Sequence, residues 1–351
     1  YPVYCEGKRQ KAKGLLALSL FLYLCSAKMN NVVIMKMKLV AVMALIAFPF
    51  IAYAQEKVVP LKYGNMDQWV TRKIHESGVI GGDTKLLYEV GPTKVIEGNE
   101  AYVNQGGSPW ANSNVMAKVM GIVKTNTSVY PERRGNGYCA RLETHIESVK
   151  VLGLVNITVL ASGSMFLGDM KEPITGTKDG EKALNSGVKF TSRPKAVRYD
   201  YKVQMSGEAN RIKQTGFSRK SVVPGQDCAI MTCLLQKRTE DANGNIIAKR
   251  VGTAVVRYSR TEGWNDKATY EIKYGDITHD SSYDPELMKL GVGGYYARNS
   301  KGESVLIQEN GWADSDEAPT HLILQFTSSL GGAFVGSPGN KFWIDNVCLV
   351  Y

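Results

Sequence analysis

The chain has 351 residues and a formal net charge of +10, a balance that is typical of proteins that bind nucleic acid or an anionic surface. Residues 1–54, however, contain seven lysines and arginines and one glutamate, so residues 55–351 keep 36 basic and 32 acidic side chains and a charge of +4. This small excess excludes a charge-based argument for a nucleic-acid partner.

The first predicted element is a leader. Residues 1–34 do not begin with Met, and we interpret them as a non-native upstream extension. The stretch 35–54 has a basic start, an apolar run over 39–51 and the small-x-small pattern AYA at 52–54, so we predict a signal peptide cleaved after residue 54. We therefore expect export to the periplasm or cell surface. No cysteine follows the apolar run as a lipid anchor would need, and no second apolar run of about 18 residues predicts a transmembrane helix.

Residues 55–351 carry the pattern of an all-β protein. About ten short alternating runs are rich in Val, Ile, Thr and Tyr and are bounded by Gly, Asn, Asp or Pro. Regular turns between so many strands indicate a two-sheet β-sandwich of the jelly-roll type with a few short helices. We expect one domain over 55–351, with residues 55–110 as a loop-rich edge.

Two local signals interrupt the strand pattern. Asn243-Gly244 lies between two alternating runs and predicts a β-hairpin with a two-residue turn. Asp284–Gly291 is the clearest helical segment, with Asp284 as the N-cap and Pro285 in the first turn.

The sequence does not determine whether the four cysteines that follow the leader form disulfides or stay free thiols. Export permits disulfides, four cysteines allow three pairings, and the spacing does not choose among them. Buried free thiols on strands are an equally good interpretation. These cysteines are Cys139, Cys228, Cys233 and Cys348.

The C-terminal segments resemble a known family. The run "LQFTSSLGGAFVGSPGNKFWIDNVCLVY" contains a Ser pair, Gly-x-x-Phe-x-Gly, a Gly-Ser turn and an aromatic-Ile-Asp run that closes on Tyr. Further matching segments are "GNGYCARLET", "ASGSMFLGD", "VKFTSRPKAVRYDYKV", "GQDCAIMTCLL" and "GWNDKATYEIKY". Over residues 65–351 the chain is similar to the putative carbohydrate metabolism domain (PCMD) family of exported proteins in glycan-using Gram-negative bacteria. The resemblance implies a jelly-roll fold and a carbohydrate-related role.

One acid in the last strand-like run, Asp345, needs a partner, because a half-buried unpaired carboxylate is costly. Many carbohydrate-binding jelly rolls hold a structural calcium between an acid near their start and an Asp near their end. "GNMDQW" at 64–69 is similar to that start, with Asp67 in place of Glu. The resemblance thus implies a calcium site in which Asp67 and Asp345 supply part of the roughly six to eight oxygens. The alternative is that Asp345 caps a turn or pairs with an arginine.

Sugar recognition needs an aromatic ring that stacks on a pyranose and planar polar groups that bond its hydroxyls. Loops on a rigid sandwich often carry such groups, and three segments rich in Gly, Asn, Asp or Pro contain a tryptophan. On another segment, strand alternation places an arginine and a glutamate on one face, as an ion pair or as part of a binding face. The predicted ligand-binding residues are Trp110, Asn112, Arg141, Glu143, Trp264 and Trp312.

A glycosidase needs two carboxylates about 5 Å apart for retention, or roughly 6.5–9.5 Å apart for inversion. Glu143 and Asp227 are the candidates, although the sequence does not show which acids meet. We therefore favour a non-catalytic carbohydrate-binding protein whose partner is an oligo- or polysaccharide. A hydrolase or lyase that uses Glu143, and a protein-binding assembly module, are the alternatives.

Overall fold

The computed structural model describes residues 56–151, 155–176, 180, 182–216, 219–332 and 334–351. The predictions for the upstream extension and the signal peptide lie outside the described residues. Residues Glu56–Tyr351 form one compact unit. In the part of the chain that is described, no helix is both long enough and apolar enough to span a bilayer.

The described residues are almost entirely strand and turn. The strands of the first half are β1 (Val58–Pro60), β2 (Trp69–His75), β3 (Thr84–Val90), β4 (Lys94–Glu97), β5 (Trp110–Asn112), β6 (Val115–Val119), β7 (Ile122–Asn126), β8 (Val129–Arg134), β9 (Gly137–Glu143), β10 (His145–Val151), β11 (Val155–Ala161), β12 (Ser164–Met170), β13 (Leu184–Ser186) and β14 (Val188–Lys189). Those of the second half are β15 (Ala196–Gln204), β16 (Asn210–Lys213), β17 (Thr215–Gly216), β18 (Ser221–Pro224), β19 (Ala229–Glu240), β20 (Ile246–Tyr258), β21 (Glu262–Glu271), β22 (Lys273–Tyr274), β23 (Tyr296–Arg298), β24 (Ser304–Leu306), β25 (Gln308–Trp312), β26 (His321–Thr327), β27 (Val335–Gly336) and β28 (Lys341–Val350).

Helix is confined to two short pieces in the described part of the chain, a 3-10 turn at Gly78–Ile80 and α1 at Pro285–Met288. The predicted N-cap of α1 is confirmed, since the Asp284 carboxylate accepts the backbone N–H of Glu286 at 3.0 Å. The helix is shorter than predicted because Lys289 already has extended backbone angles.

Two large sheets pack against each other. One has the order β21-β15-β28-β9-β8, with β1 also paired to β28. The other has the order β13-β12-β26-β19-β20-β22, with β5, β14 and β25 paired beside this path. Side chains from both sheets share one buried cluster, in which the rings of Tyr199 (β15) and Phe326 (β26) meet edge-on at 5.0 Å. The predicted all-β, two-sheet architecture is confirmed; its jelly-roll connectivity stays a prediction.

The hairpin between β19 and β20 confirms the Asn-Gly signal, but the loop is longer than two residues. It runs from Asp241 to Asn245, and Gly244 adopts a φ of 87°. The Asp241 carboxylate accepts the backbone N–H groups of Asn243 at 2.9 Å and Asn245 at 2.8 Å. This side-chain cap stabilises the wider turn.

Residues 55–110 contain more strand than predicted. β2, β3 and β4 form a three-stranded sheet whose buried side includes Ile74 and Leu87. Arg72 occupies another buried position of β2 and binds Glu89 and Glu172. Because a charged residue occupies an inward position of β2, the alternation of apolar and polar residues that predicts a strand is weak there.

The two ends of the compact unit lie together, as the resemblance led us to expect. β1 runs antiparallel to β28, with Val58 opposite Val350. The backbone just after β1 also contacts β28, since Val347 donates to the Gly64 carbonyl at 2.8 Å. The four cysteines of the described residues are free thiols, three of them buried and Cys348 partly exposed.

Candidate functional site

Strand alternation gives the six-stranded sheet one apolar and one polar face. On β9, Ala140 and Leu142 point into the shared core, whereas Arg141 and Glu143 are partly exposed on the opposite side. We call that opposite side the outer face. The predicted placement of Arg141 and Glu143 on one strand face is confirmed.

A row of four side chains crosses the outer face from β15 to β8. Lys202 lies opposite Trp343, Trp343 opposite Arg141, and Arg141 opposite Tyr130. The Lys202 ammonium lies 4.2 Å from the centre of the Trp343 ring, and the Arg141 guanidinium lies 4.3 Å from that of Tyr130. Cation and aromatic ring therefore alternate along the row, an arrangement that stabilises both.

Two carboxylates hold the central arginine of this row. Glu132 accepts the Trp343 indole N–H at 2.8 Å and the Arg141 Nε–H at 2.8 Å. Glu143 accepts from Arg141 Nη1 and lies 3.9 Å from the Lys341 ammonium. Arg141 is thus oriented from both sides before any ligand arrives.

A second arginine gathers three carboxylates from three strands. Arg134 Nη1 lies 2.7 Å from Asp200 and 2.6 Å from Asp345, and its Nη2 lies 2.6 Å from Asp266. Burial raises the pKa of Asp345, and hydrogen bonding to Arg134 offsets this only in part. Burial also acts against ionised Asp200, but hydrogen bonds from Asn346, the Lys267 backbone and Arg134 outweigh it and lower its pKa.

Trp264 stacks on this arginine. The Arg134 guanidinium carbon lies 3.9 Å from the centre of the indole, while 38% of the Trp264 residue is exposed. The ring is therefore held on one side by a fixed cation and is accessible to solvent elsewhere. Trp264, Arg141 and Glu143 are the predicted binding residues that the structure brings to one face.

Trp110 and Asn112, by contrast, are not surface residues, which corrects their predicted place on a loop. Trp110 is 1% exposed, its ring lies in the core, and its indole N–H donates to the Lys62 carbonyl at 2.9 Å. Asn112 is 2% exposed and donates to the Tyr88 carbonyl and to Glu89. Their segment forms β5 against β12, so core contacts occupy the ring faces that a sugar would need.

Trp312 lies on a different sheet. It is in β25, which pairs with β20, and it sits opposite Arg250 at 5.6 Å from ring centre to guanidinium carbon. The structure therefore does not bring Trp312 together with Trp264.

Asp67 and Asp345 have different partners, so they do not fit the implied calcium site. Asp67 is exposed and accepts the Tyr138 backbone N–H at 2.9 Å and the Asn65 amide at 2.8 Å. Asp345 pairs with Arg134, the arginine alternative considered above, and the guanidinium supplies the positive charge there. Among the described residues, no group of three or more His, Cys, Asp or Glu is arranged to hold a metal ion.

Asp227 is a structural acceptor rather than an accessible acid. It is 2% exposed, and burial raises the pKa of its carboxyl group. Five groups donate to its two oxygens at 2.6–2.9 Å: Ser329 Oγ, Asn340 Nδ2 and the backbone N–H groups of Cys228, Leu330 and Ser337. Because these donors saturate the carboxylate, we discard Asp227 as a catalytic candidate.

Sequence reasoning missed half of the outer face. Tyr130, Glu132 and Arg134 alternate along β8, and this alternation was visible in "VYPERR". Trp343 is only 4% exposed, yet it lies on the outer face, where Lys202 and Glu132 cover it. The sequence does not show which strands are neighbours in the sheet, and this order is what assembles the outer face.

Among the comparisons with known proteins, the match to a family model relates the chain to carbohydrate metabolism. Residues 91–350 match the model of a family described as "Putative carbohydrate metabolism domain". No curated protein matches the chain. The chain is similar, at 17% identity and a TM-score of 0.37, to a solved structure titled as a putative glycoside hydrolase from Bacteroides thetaiotaomicron, with 65% of this chain covered. The match spans 58% of the length of that protein.

Proposed function

The chain belongs to the putative carbohydrate metabolism domain family, and on this premise we propose that it is an exported protein that binds an oligo- or polysaccharide on its outer face. The observation that carries the proposal is the stack of Trp264 on Arg134. Export rests on the signal peptide predicted over 35–54.

The outer face has the chemistry that a sugar requires. A pyranose presents C–H groups that pack on an aromatic ring, and the exposed side of Trp264 offers such a ring in a fixed orientation. Carboxylates and guanidinium groups, which bond adjacent hydroxyls, lie on the same face at Asp266, Glu132 and Arg141. Side chains that are fixed in advance lose little conformational entropy on binding, which favours affinity.

Affinity electrophoresis tests this site. Purified residues 55–351 are run in native gels that contain plant and host polysaccharides, and the polysaccharide that retards the protein is used for titration. Trp264→Ala should weaken binding about tenfold, since removal of an aromatic stacking contact costs about 1 kcal/mol or more. Leu306→Ala, at a side chain of similar exposure outside the six-stranded sheet, should leave affinity unchanged.

The proposal of an outer-face site is wrong if Trp264→Ala and Arg141→Ala both bind as well as the unaltered protein. Circular dichroism and the unfolding midpoint of each variant separate loss of binding from loss of fold.

Hydrolysis is a second candidate, favoured by the two carboxylates that flank Arg141. Glu132 and Glu143 both contact this guanidinium on an accessible face, so a glycan bound there would lie near both acids. Release of reducing ends that Glu143→Gln abolishes, with gel retardation preserved, would establish an enzyme. Retardation without new reducing ends would leave a binding protein.

A further inference from the structure

A cleft of about 650 Å³ lies outside the six-stranded sheet. Its walls come from the loop over 101–109, the end of β12 and the segment that follows it, the β13–β14 connection, and the β23–β24 hairpin. This volume is in the range of small-ligand sites.

The cleft is held open by hydrogen bonds rather than formed by loose loops. Asn104 donates its amide to the Gly168 carbonyl at 2.9 Å and to the Ser108 carbonyl at 3.1 Å. Glu172 accepts the Tyr102 backbone N–H at 3.1 Å and is itself bound by Arg72 at 2.5 Å. The loop is therefore fixed to β12 and to the buried arginine.

Tyr102 gives the cleft an aromatic wall. The Arg72 guanidinium carbon lies 5.0 Å from the centre of the Tyr102 ring, so a cation supports this ring as Arg134 supports Trp264. Val103 adds apolar surface beside it and is 71% exposed.

Both acids that line the cleft have a cationic partner. Asp169 pairs with Arg298, and Glu172 pairs with Arg72, which also contacts Glu89. Lys171 also lines the cleft, is exposed, and forms no ion pair within the described ranges of the chain. One ammonium group is thus available to an anionic ligand.

We propose that this cleft is a second saccharide site that binds a short acidic oligosaccharide, with a uronic-acid ring against Tyr102 and its carboxylate on Lys171. The site is distinct from the outer face, and its ligand class goes beyond the function proposed above.

Calorimetric titration with trigalacturonic acid and with neutral galactotriose tests the inference on residues 55–351. The acidic trimer should bind at least tenfold more tightly than the neutral one, and the difference should shrink as salt is raised. Lys171→Gln should remove most of this preference, because a charge-assisted hydrogen bond is lost. Val103→Asp, which places a negative charge at the wall, should weaken the acidic trimer by a similar factor.

Lys57→Gln is the matched control, because Lys57 is another exposed lysine with no ion pair in the described part of the chain and does not line the cleft. It should bind both trimers as the unaltered protein does. Equal affinity for the two trimers, or unchanged acidic-trimer binding in both Lys171→Gln and Val103→Asp, would overturn the cleft site. Acidic-trimer binding that is lost only in Trp264→Ala would also overturn it, while leaving the outer face intact.

Discussion

Asp227 illustrates how one carboxylate can organise a sequence motif. The Ser pair and the Gly-Ser turn of the C-terminal segment supply Ser329 and Ser337 as donors to it, and Leu330 and Asn340 of the same segment also donate. The residues that carried the family resemblance in this segment therefore converge on a buried acid. Their pattern reflects a folding requirement at least as much as a binding one.

Asp227→Asn should lower the free energy of unfolding by about 3 kcal/mol, because an amide group would face donors and leave buried groups unsatisfied. Urea denaturation measures the change. Asp316→Asn, at an exposed acid, is the control and should stay within about 0.5 kcal/mol of the unaltered protein. Matching midpoints for the two variants would show that the Asp227 interactions do not stabilise the fold.

Glu89 predicts a pH dependence of stability. Burial raises the pKa of the Glu89 carboxyl group to about 8. Arg72, which contacts both Glu89 and Glu172, lowers this pKa but offsets the effect of burial only in part. Between pH 5 and 8 the folded state therefore holds a proton that the unfolded state has lost. Stability from this group is greatest at low pH and falls as pH rises, by up to about 1.4 kcal/mol per pH unit.

Glu89→Gln should remove this slope, since glutamine does not titrate. Urea midpoints at several pH values between 5 and 8 give the two slopes. Glu97→Gln, at an exposed acid of the same three-stranded sheet, should keep the slope of the unaltered protein. Identical slopes in all three proteins would contradict the raised pKa.

At the scale of elements, the β8–β9 hairpin is tied to the rest of its sheet by Arg134. This single side chain reaches acids on β15, β21 and β28, and it also holds Trp264. Sequence reasoning assigned strand character to β9, but it identified neither β8 nor the attachment of the hairpin. In the same way, β5 was interpreted as a loop because three residues are too few to show alternation.

Arg134→Ala should cost about 2 kcal/mol of unfolding free energy, because Asp200 and Asp345 would lose their cation while staying largely buried. It should also weaken the glycan binding proposed for Trp264. Arg260→Ala, at an exposed arginine that forms no ion pair in the described chain, is the control for thermal unfolding. A variant as stable as the control would mean that the two acids are well solvated without Arg134.

At the scale of the whole molecule, burial of the free thiols predicts how many of them react with a thiol reagent. Burial raises the pKa of Cys139 and of Cys233 to about 12 and that of Cys228 to about 11. Native residues 55–351 should therefore show one accessible thiol, Cys348, toward Ellman's reagent, and four after denaturation without reductant. Fewer than four after denaturation would indicate a disulfide.

The sequence by itself determined the local features of this protein. Alternation identified most of the long strands and placed Arg141 and Glu143 on one face, and capping chemistry located α1. These features have a period of two residues or depend on one turn, so neighbouring residues suffice to define them.

Only the tertiary structure decided which residues meet. Asp200, Asp266 and Asp345 lie 66, 132 and 211 positions from Arg134 along the chain, yet all three contact it. Strand order sets such contacts, and no local pattern encodes it. For this reason a resemblance pointed to calcium at Asp345 and segment composition pointed to a sugar at Trp110, whereas the fold places an arginine beside the first and the core around the second.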